Sequence, residues 1–93
     1  MKLIYCPHCH DVRKLQFDAV ACMCGRSQGC YHEDGLHATI TGDAIPLGIQ
    51  GSSFVKALAN RPEEGMGEEF VAFVIQKKCP TVTENRYYKV DMR

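Results

Sequence analysis

The chain carries CPHC at residues 6–9, then twelve residues, then CMCG at 22–25. No other feature limits the fold as strongly. Two thiolates converge on one ion when their spacing is short and the backbone folds back. Pro7 presets one turn dihedral, and Gly25 accepts a positive φ. Two such knuckles facing each other supply Cys6, Cys9, Cys22 and Cys24 as four sulfur ligands in a tetrahedron. That is the closed site of a structural zinc ion, with no open position for chemistry.

Other residues compete for the role. His10 is an alternative to one sulfur, and Cys30 is an alternative to Cys22. His8 lies inside the first turn and is expected to point to solvent. Cys30 otherwise reads as a small buried residue, and Cys79, beside Pro80, as a lone thiol. A redox pair of Cys6 and Cys9 is the rival reading of C-x-x-C. It needs a helix opening after the motif, and HDVRKLQF does not resemble one.

A chain of 93 residues makes one domain with a modest core, so a metal staple is a reasonable expectation. Its 45% apolar content is that of a globular protein. No apolar run is long enough for a transmembrane helix, and MKLIYCPHCH lacks a signal-like stretch. The expectation is a cytoplasmic protein, where paired cysteines more often bind metal than each other. The formal net charge is zero, which argues against a dedicated duplex-DNA binder. Charge is unevenly placed, however. Glu63, Glu64, Glu68 and Glu69 cluster around Gly65–Gly67, and Lys77, Lys78, Arg86, Lys89 and Arg93 make the last stretch basic.

Along the chain, KLIY at 2–5 reads as a strand entering the first knuckle. Residues 12–21 are read as a hairpin between the knuckles. QGCYHE at 28–33 and LHATIT at 36–41 form a strand pair across an Asp34–Gly35 turn, closed by Gly42–Asp43. AIPLGI at 44–49 holds Pro46 and Gly48, which suit an edge strand or extended connection. The clearest helix follows, in GIQGSSFVKALANRP. Ser52 or Ser53 caps it, Phe54, Val55, Leu58 and Ala59 face a core, and Asn60 with Pro62 ends it. PEEGMGEE is a polar loop. FVAFVI at 70–75 is apolar on both alternating faces, so it reads as a central strand or a strand at a partner interface. The expected fold is α+β and β-dominant: a zinc-ribbon part at 1–33, a small mixed sheet with one packed helix at 34–79, and a C-terminal tail at 80–93 that docks loosely or frays.

The order of Cys6, Cys9, Cys22, Cys24 and Gly25, then Gly29, Tyr31, Leu36, Gly42, Pro46, Gly48, Ser52, Ser53, Phe54 and FVAFVI, resembles a group of small uncharacterised zinc-ribbon proteins of bacteria and their phages. The resemblance runs to about Pro80 and implies a fold and a habitat rather than a mechanism. Cys30, between Gly29 and Tyr31, departs from the pattern.

No catalytic constellation is evident. Ser52 and Ser53 lack the G-x-S-x-G context of a nucleophile, and His32, Glu33, Asp34 and His37 read as a solvated hairpin tip rather than a second metal or acid–base site. Three functions stay open. The first is a non-enzymatic, zinc-stabilised module that docks on a partner protein or on a second copy of itself; in a phage setting the partner would be a host system. The second is anion or nucleotide binding at Gly51, Ser52 and Ser53 with Lys56 and Arg61, using free amides at a helix start, as in sequestration of a nucleotide signal. The third is nucleic-acid binding by a basic patch of Lys2, Arg13, Lys14 and Arg26.

Overall fold

Short alternating segments separated by turn residues make this a β protein, with one helix among the described residues. A computed structural model describes residues 1–85, in two four-stranded sheets. The first has the order β2-β1-β6-β7. Its strands are β1 (Lys2–Tyr5), β2 (Val12–Lys14), β6 (Ile45–Ile49) and β7 (Ala72–Val74). The second has the order β3-β4-β5-β8, built from β3 (Val20–Ala21), β4 (Ser27–Tyr31), β5 (Ala38–Gly42) and β8 (Val82–Asn85). All pairings are antiparallel except β5 with β8, which makes the second sheet mixed. The β-dominant reading with one helix therefore holds.

The sheets meet over a small core of Ile4, Leu15, Ala38, Ile40, Ala44 and Val82. The Tyr31 hydroxyl accepts from the Lys2 amide at 2.8 Å and ties β1 to β4. Gly29 leaves room for Leu15, whose Cδ2 would lie 3.0 Å from a Cβ there.

Several expectations are corrected. Residues 12–21 do not form a hairpin: β2 pairs with β1 and β3 with β4, so the segment crosses from one sheet to the other. The segment at 44–49 is not an edge. β6 lies between β1 and β7. Pro46 is tolerated because its carbonyl accepts from Ile75 N at 2.9 Å, so its missing N–H faces a point just past the end of β7. Conversely, FVAFVI is not a central strand. β7 is the outer strand of its sheet, and all its residues are exposed.

The helix, α1 (Gly51–Ala59), begins after Gln50 and has Asn60 at its C-terminal cap, as expected. Neither serine caps it. The Ser53 hydroxyl instead donates to Gln50 O at 3.2 Å and accepts from Val71 N at 3.0 Å, so it stitches the helix to the chain entering β7. Nor does its apolar stripe face the core: no α1 residue is buried. Its packing rests on an edge-on contact between Phe54 and Phe70, with ring centroids 4.9 Å apart. Residues 82–85, read as part of a tail, form β8, with Val82 in the core. Arg86, Tyr87, Tyr88, Lys89 and Arg93 lie outside the described residues.

Candidate metal centre

Each knuckle is a turn closed by its own backbone. In the first, His10 N donates to Cys6 O at 2.8 Å and Cys6 N to Asp11 O at 3.0 Å. In the second, Gly25 N donates to Cys22 O at 3.1 Å and Cys22 N to Ser27 O at 2.9 Å. The positive φ expected at Gly25 is +80°, and the first knuckle places His10 at +62°. His10 lies outside the group that the cysteines form, with its Nδ1 2.5 Å from the Tyr5 hydroxyl.

These turns bring Cys6, Cys9, Cys22 and Cys24 together, with all four sulfurs within 4.8 Å of one another. Cys6 Sγ and Cys24 Sγ are 3.6 Å apart, and Cys22 Sγ and Cys24 Sγ 3.5 Å. A tetrahedral ion with sulfurs at about 2.3 Å requires edges of about 3.8 Å, close to these separations. The four cysteines can hold a metal ion, and they are the one such group among the described residues. Cys30 lies on β4 outside the cluster. Cys79 packs against the core, and its sulfur sits 3.3 Å from the Thr81 hydroxyl.

The electrostatics of the four thiols point the same way. Burial disfavours the Cys6 thiolate, but the Ser27 hydroxyl and the backbone of Cys9 and His8 outweigh it and bring the thiol down to about 6. The Arg26 backbone favours the Cys24 thiolate, but desolvation and the three neighbouring sulfurs push that thiol up to about 12. The neighbouring sulfurs therefore oppose ionisation of Cys24. A divalent ion removes the conflict by binding all four as thiolates.

Residues that the sequence reading missed hold the centre in place. Ser27 is fully buried, its hydroxyl finds no conventional hydrogen-bond partner, and it favours the Cys6 thiolate. Its amide donates to Cys22 Sγ at 3.3 Å. An orphaned buried hydroxyl beside sulfur fits a site meant to carry negative charge. Asp11 joins the knuckles: Oδ2 accepts from Met23 N at 2.8 Å and from Arg13 Nε at 2.7 Å. The Arg13 hydrogen bond holds its carboxyl below the usual range. Their signal in the sequence is position alone, as a polar residue two or three places past each cysteine pair. His8 is exposed, as expected, and contacts Asp43 Oδ2 at 2.8 Å and Arg26 Nη1 at 3.1 Å.

The other candidate sites are less convergent. Gly51, Ser52 and Ser53 stand at the start of α1, and Lys56 lies one turn on. Arg61 lies past the far end of the helix, roughly 15 Å along its axis from Gly51. It lines a shallow cleft there with Phe54, Leu58, Pro62 and Phe70. Of the basic residues, Arg13 and Lys14 are neighbours on β2 and so project to opposite faces of the sheet. Arg13 is paired with Asp11, and Lys2 Nζ donates to Leu36 O at 2.8 Å. The group at 32–37 is a structured turn: Asp34 Oδ1 accepts from the amides of Leu36 and His37, both at 2.9 Å.

No family model, curated protein sequence or solved structure matches the chain.

Proposed function

We propose that this chain is a non-enzymatic docking module in which a structural zinc ion rigidifies one end and the other end binds a protein surface. The observation that carries this reading is the distribution of apolar surface. The register places Tyr5 and Ile45 at the cysteine end of the first sheet, and Lys2 and Gly48 at the opposite end, next to α1. At that opposite end Val55 is 64% exposed, Leu58 58%, Phe73 51% and Val74 66%. Large apolar residues are exposed elsewhere too, at Val12, Phe17, Met23 and Leu36, but here they stand on one helix and on a sheet edge that no strand covers among the described residues, which supports an interaction surface. The four-sulfur closed geometry supports zinc, since structural zinc takes such a site and leaves no coordination position for catalysis.

Nucleotide binding has less support: the Ser53 hydroxyl is engaged on both sides, and Arg61 is remote from the helix start. Nucleic-acid binding has less support too, because Arg13 and Lys14 do not share a face.

The test is native mass spectrometry of the chain purified without denaturation. The expected species is one zinc per chain within a protein complex. Phe73→Asp with Val74→Asp is expected to abolish the complex and leave the zinc. A metal-loaded chain that is always alone would sink the docking reading. A chain with no metal would sink the zinc.

A further inference from the structure

The outer edge of β7 has its own geometry and charge pattern. Gln50 N donates to Val71 O, and Ile75 N to Pro46 O, both at 2.9 Å. The register opposes Gly48 to Phe73. In an antiparallel ladder, residues that turn backbone groups to one neighbour alternate with residues that turn them away. Val71, Phe73 and Ile75 therefore face β6, while Ala72 and Val74 present their N–H and C=O groups outward. Among the described residues no strand pairs with that side. This edge is short, at three residues, but it carries no proline, bulge or charge within the strand.

The flanking sequence reads EEFVAFVIQKK, from Glu68 to Lys78. Two acidic residues precede the apolar run and two basic residues follow it. Glu68, Glu69, Lys77 and Lys78 are all exposed. The segment is its own electrostatic complement when reversed.

From this we infer that β7 pairs antiparallel with β7 of a second copy, across a two-fold axis at Phe73, joining the two first sheets into one eight-stranded sheet. The inference rests on the docking reading above and names the occupant of that surface. Outward-facing residues must oppose outward-facing residues, which restricts the register to steps of two. Centring on Phe73 sets Ala72 opposite Val74 of the second copy, and Val74 opposite its Ala72. It also brings the Glu68–Glu69 flank of each copy towards the Lys77–Lys78 flank of the other. A shift of one step in either direction leaves part of the three-residue strand without a strand partner. A parallel pairing sets Glu68 and Glu69 beside their own copies. Exposed ion pairs add little affinity each, but like charges in a parallel arrangement are repulsive, so the pattern selects direction. A two-fold pairing of one patch with itself is the commonest closed form of association.

Sedimentation velocity on the metal-loaded chain tests this, with two charge-reversed variants. Glu68→Lys with Glu69→Lys makes both ends basic, and Lys77→Glu with Lys78→Glu makes both ends acidic. The expected result is a dimer of the 10.4 kDa chain whose dissociation constant rises at least tenfold in each variant alone and recovers when the two variants are mixed. In the dimer the amides of Ala72 and Val74 are protected from hydrogen exchange. A monomer at all concentrations overturns self-pairing, whether or not those amides are protected by other means. A dimer indifferent to both charge reversals overturns the antiparallel direction. If a different protein binds the α1–β7 end while the chain stays monomeric, the docking reading stands and this inference falls.

Discussion

Two glycines with similar backbone angles separate conformational strain from steric exclusion. Gly25 has φ +80° and open space within 4 Å of where a Cβ would stand, whereas at Gly42, with φ +67°, a Cβ would lie 2.0 Å from Arg26 O. Gly25→Ala is therefore expected to cost only the left-handed backbone penalty, about 1–2 kcal/mol, in thermal unfolding of the metal-loaded protein. Gly42→Ala must displace the β4–β5 hairpin itself, and its loss should exceed that of Gly25→Ala at the same metal occupancy. Equal losses would contradict the placement of Arg26. Asp34 supplies a second residue-scale prediction. The Leu36 amide, the His37 side chain and the His37 amide hold its carboxyl down to about 2. A carboxyl depressed by folding stabilises the fold above its unfolded value near 4 and loses that contribution as pH falls through 2. Asp34→Ala should thus lower the melting temperature at pH 7, and the difference from the parent should shrink between pH 4 and pH 2. A difference that is the same at both ends of that range would show that the carboxylate is not what the turn uses.

At the scale of elements, α1 is the least supported piece. It spans Gly51–Ala59, shorter than the roughly 12–15 residues an isolated helix needs in water. Its anchors are the Ser53 bridge to Val71 and the Phe54–Phe70 contact. Phe54→Ala removes an aromatic pair worth about 0.5–1.5 kcal/mol beyond its area. The expected outcome is reduced ellipticity at 222 nm with unchanged metal content; an unaltered spectrum would mean the helix is held elsewhere. Elements also differ in how far the sequence reveals them. Both knuckles, β1, the β4–β5 pair and the limits of α1 were legible, because turn residues, caps and cysteine spacing act within a few positions. The partners of β2, β3, β6 and β7 were not, because strand pairing depends on residues far along the chain. Pro46 was misleading, since a missing N–H is harmless where the neighbouring strand has just ended. FVAFVI was misleading for a different reason. Apolar residues on both faces report how much burial a strand needs, not whether its own chain supplies it. The four cysteines were legible as a set, while Ser27 and Asp11 became visible only once the turns placed them against sulfur and amide.

The whole molecule is long for its length in residues. Its extents are 45 × 27 × 23 Å, and its radius of gyration is 14.5 Å, against about 12 Å for a compact domain of this size. Among the described residues its buried apolar cluster consists of six residues, two of them alanine. Ordering each residue costs on the order of 1–2 kcal/mol of backbone entropy, so a cluster this small leaves little margin. The metal centre joins the crossing between the sheets at a decisive point, because Cys6 follows β1 of the first sheet while Cys22 follows β3 of the second. A bound ion thus clamps the two sheets to each other, and its binding energy is folding energy. Removal of the metal with a chelator at neutral pH should abolish the cooperative thermal transition and expose hydrogen exchange across both sheets, and zinc added back should restore both. Cys22→Ser should reproduce the loss without chelator. The melting temperature of the loaded form should also rise with free zinc concentration, as linkage requires of a ligand bound only by the folded state. A cooperative transition that survives chelation at nearly the same temperature would assign the stability to the apolar cluster and leave the ion no structural part.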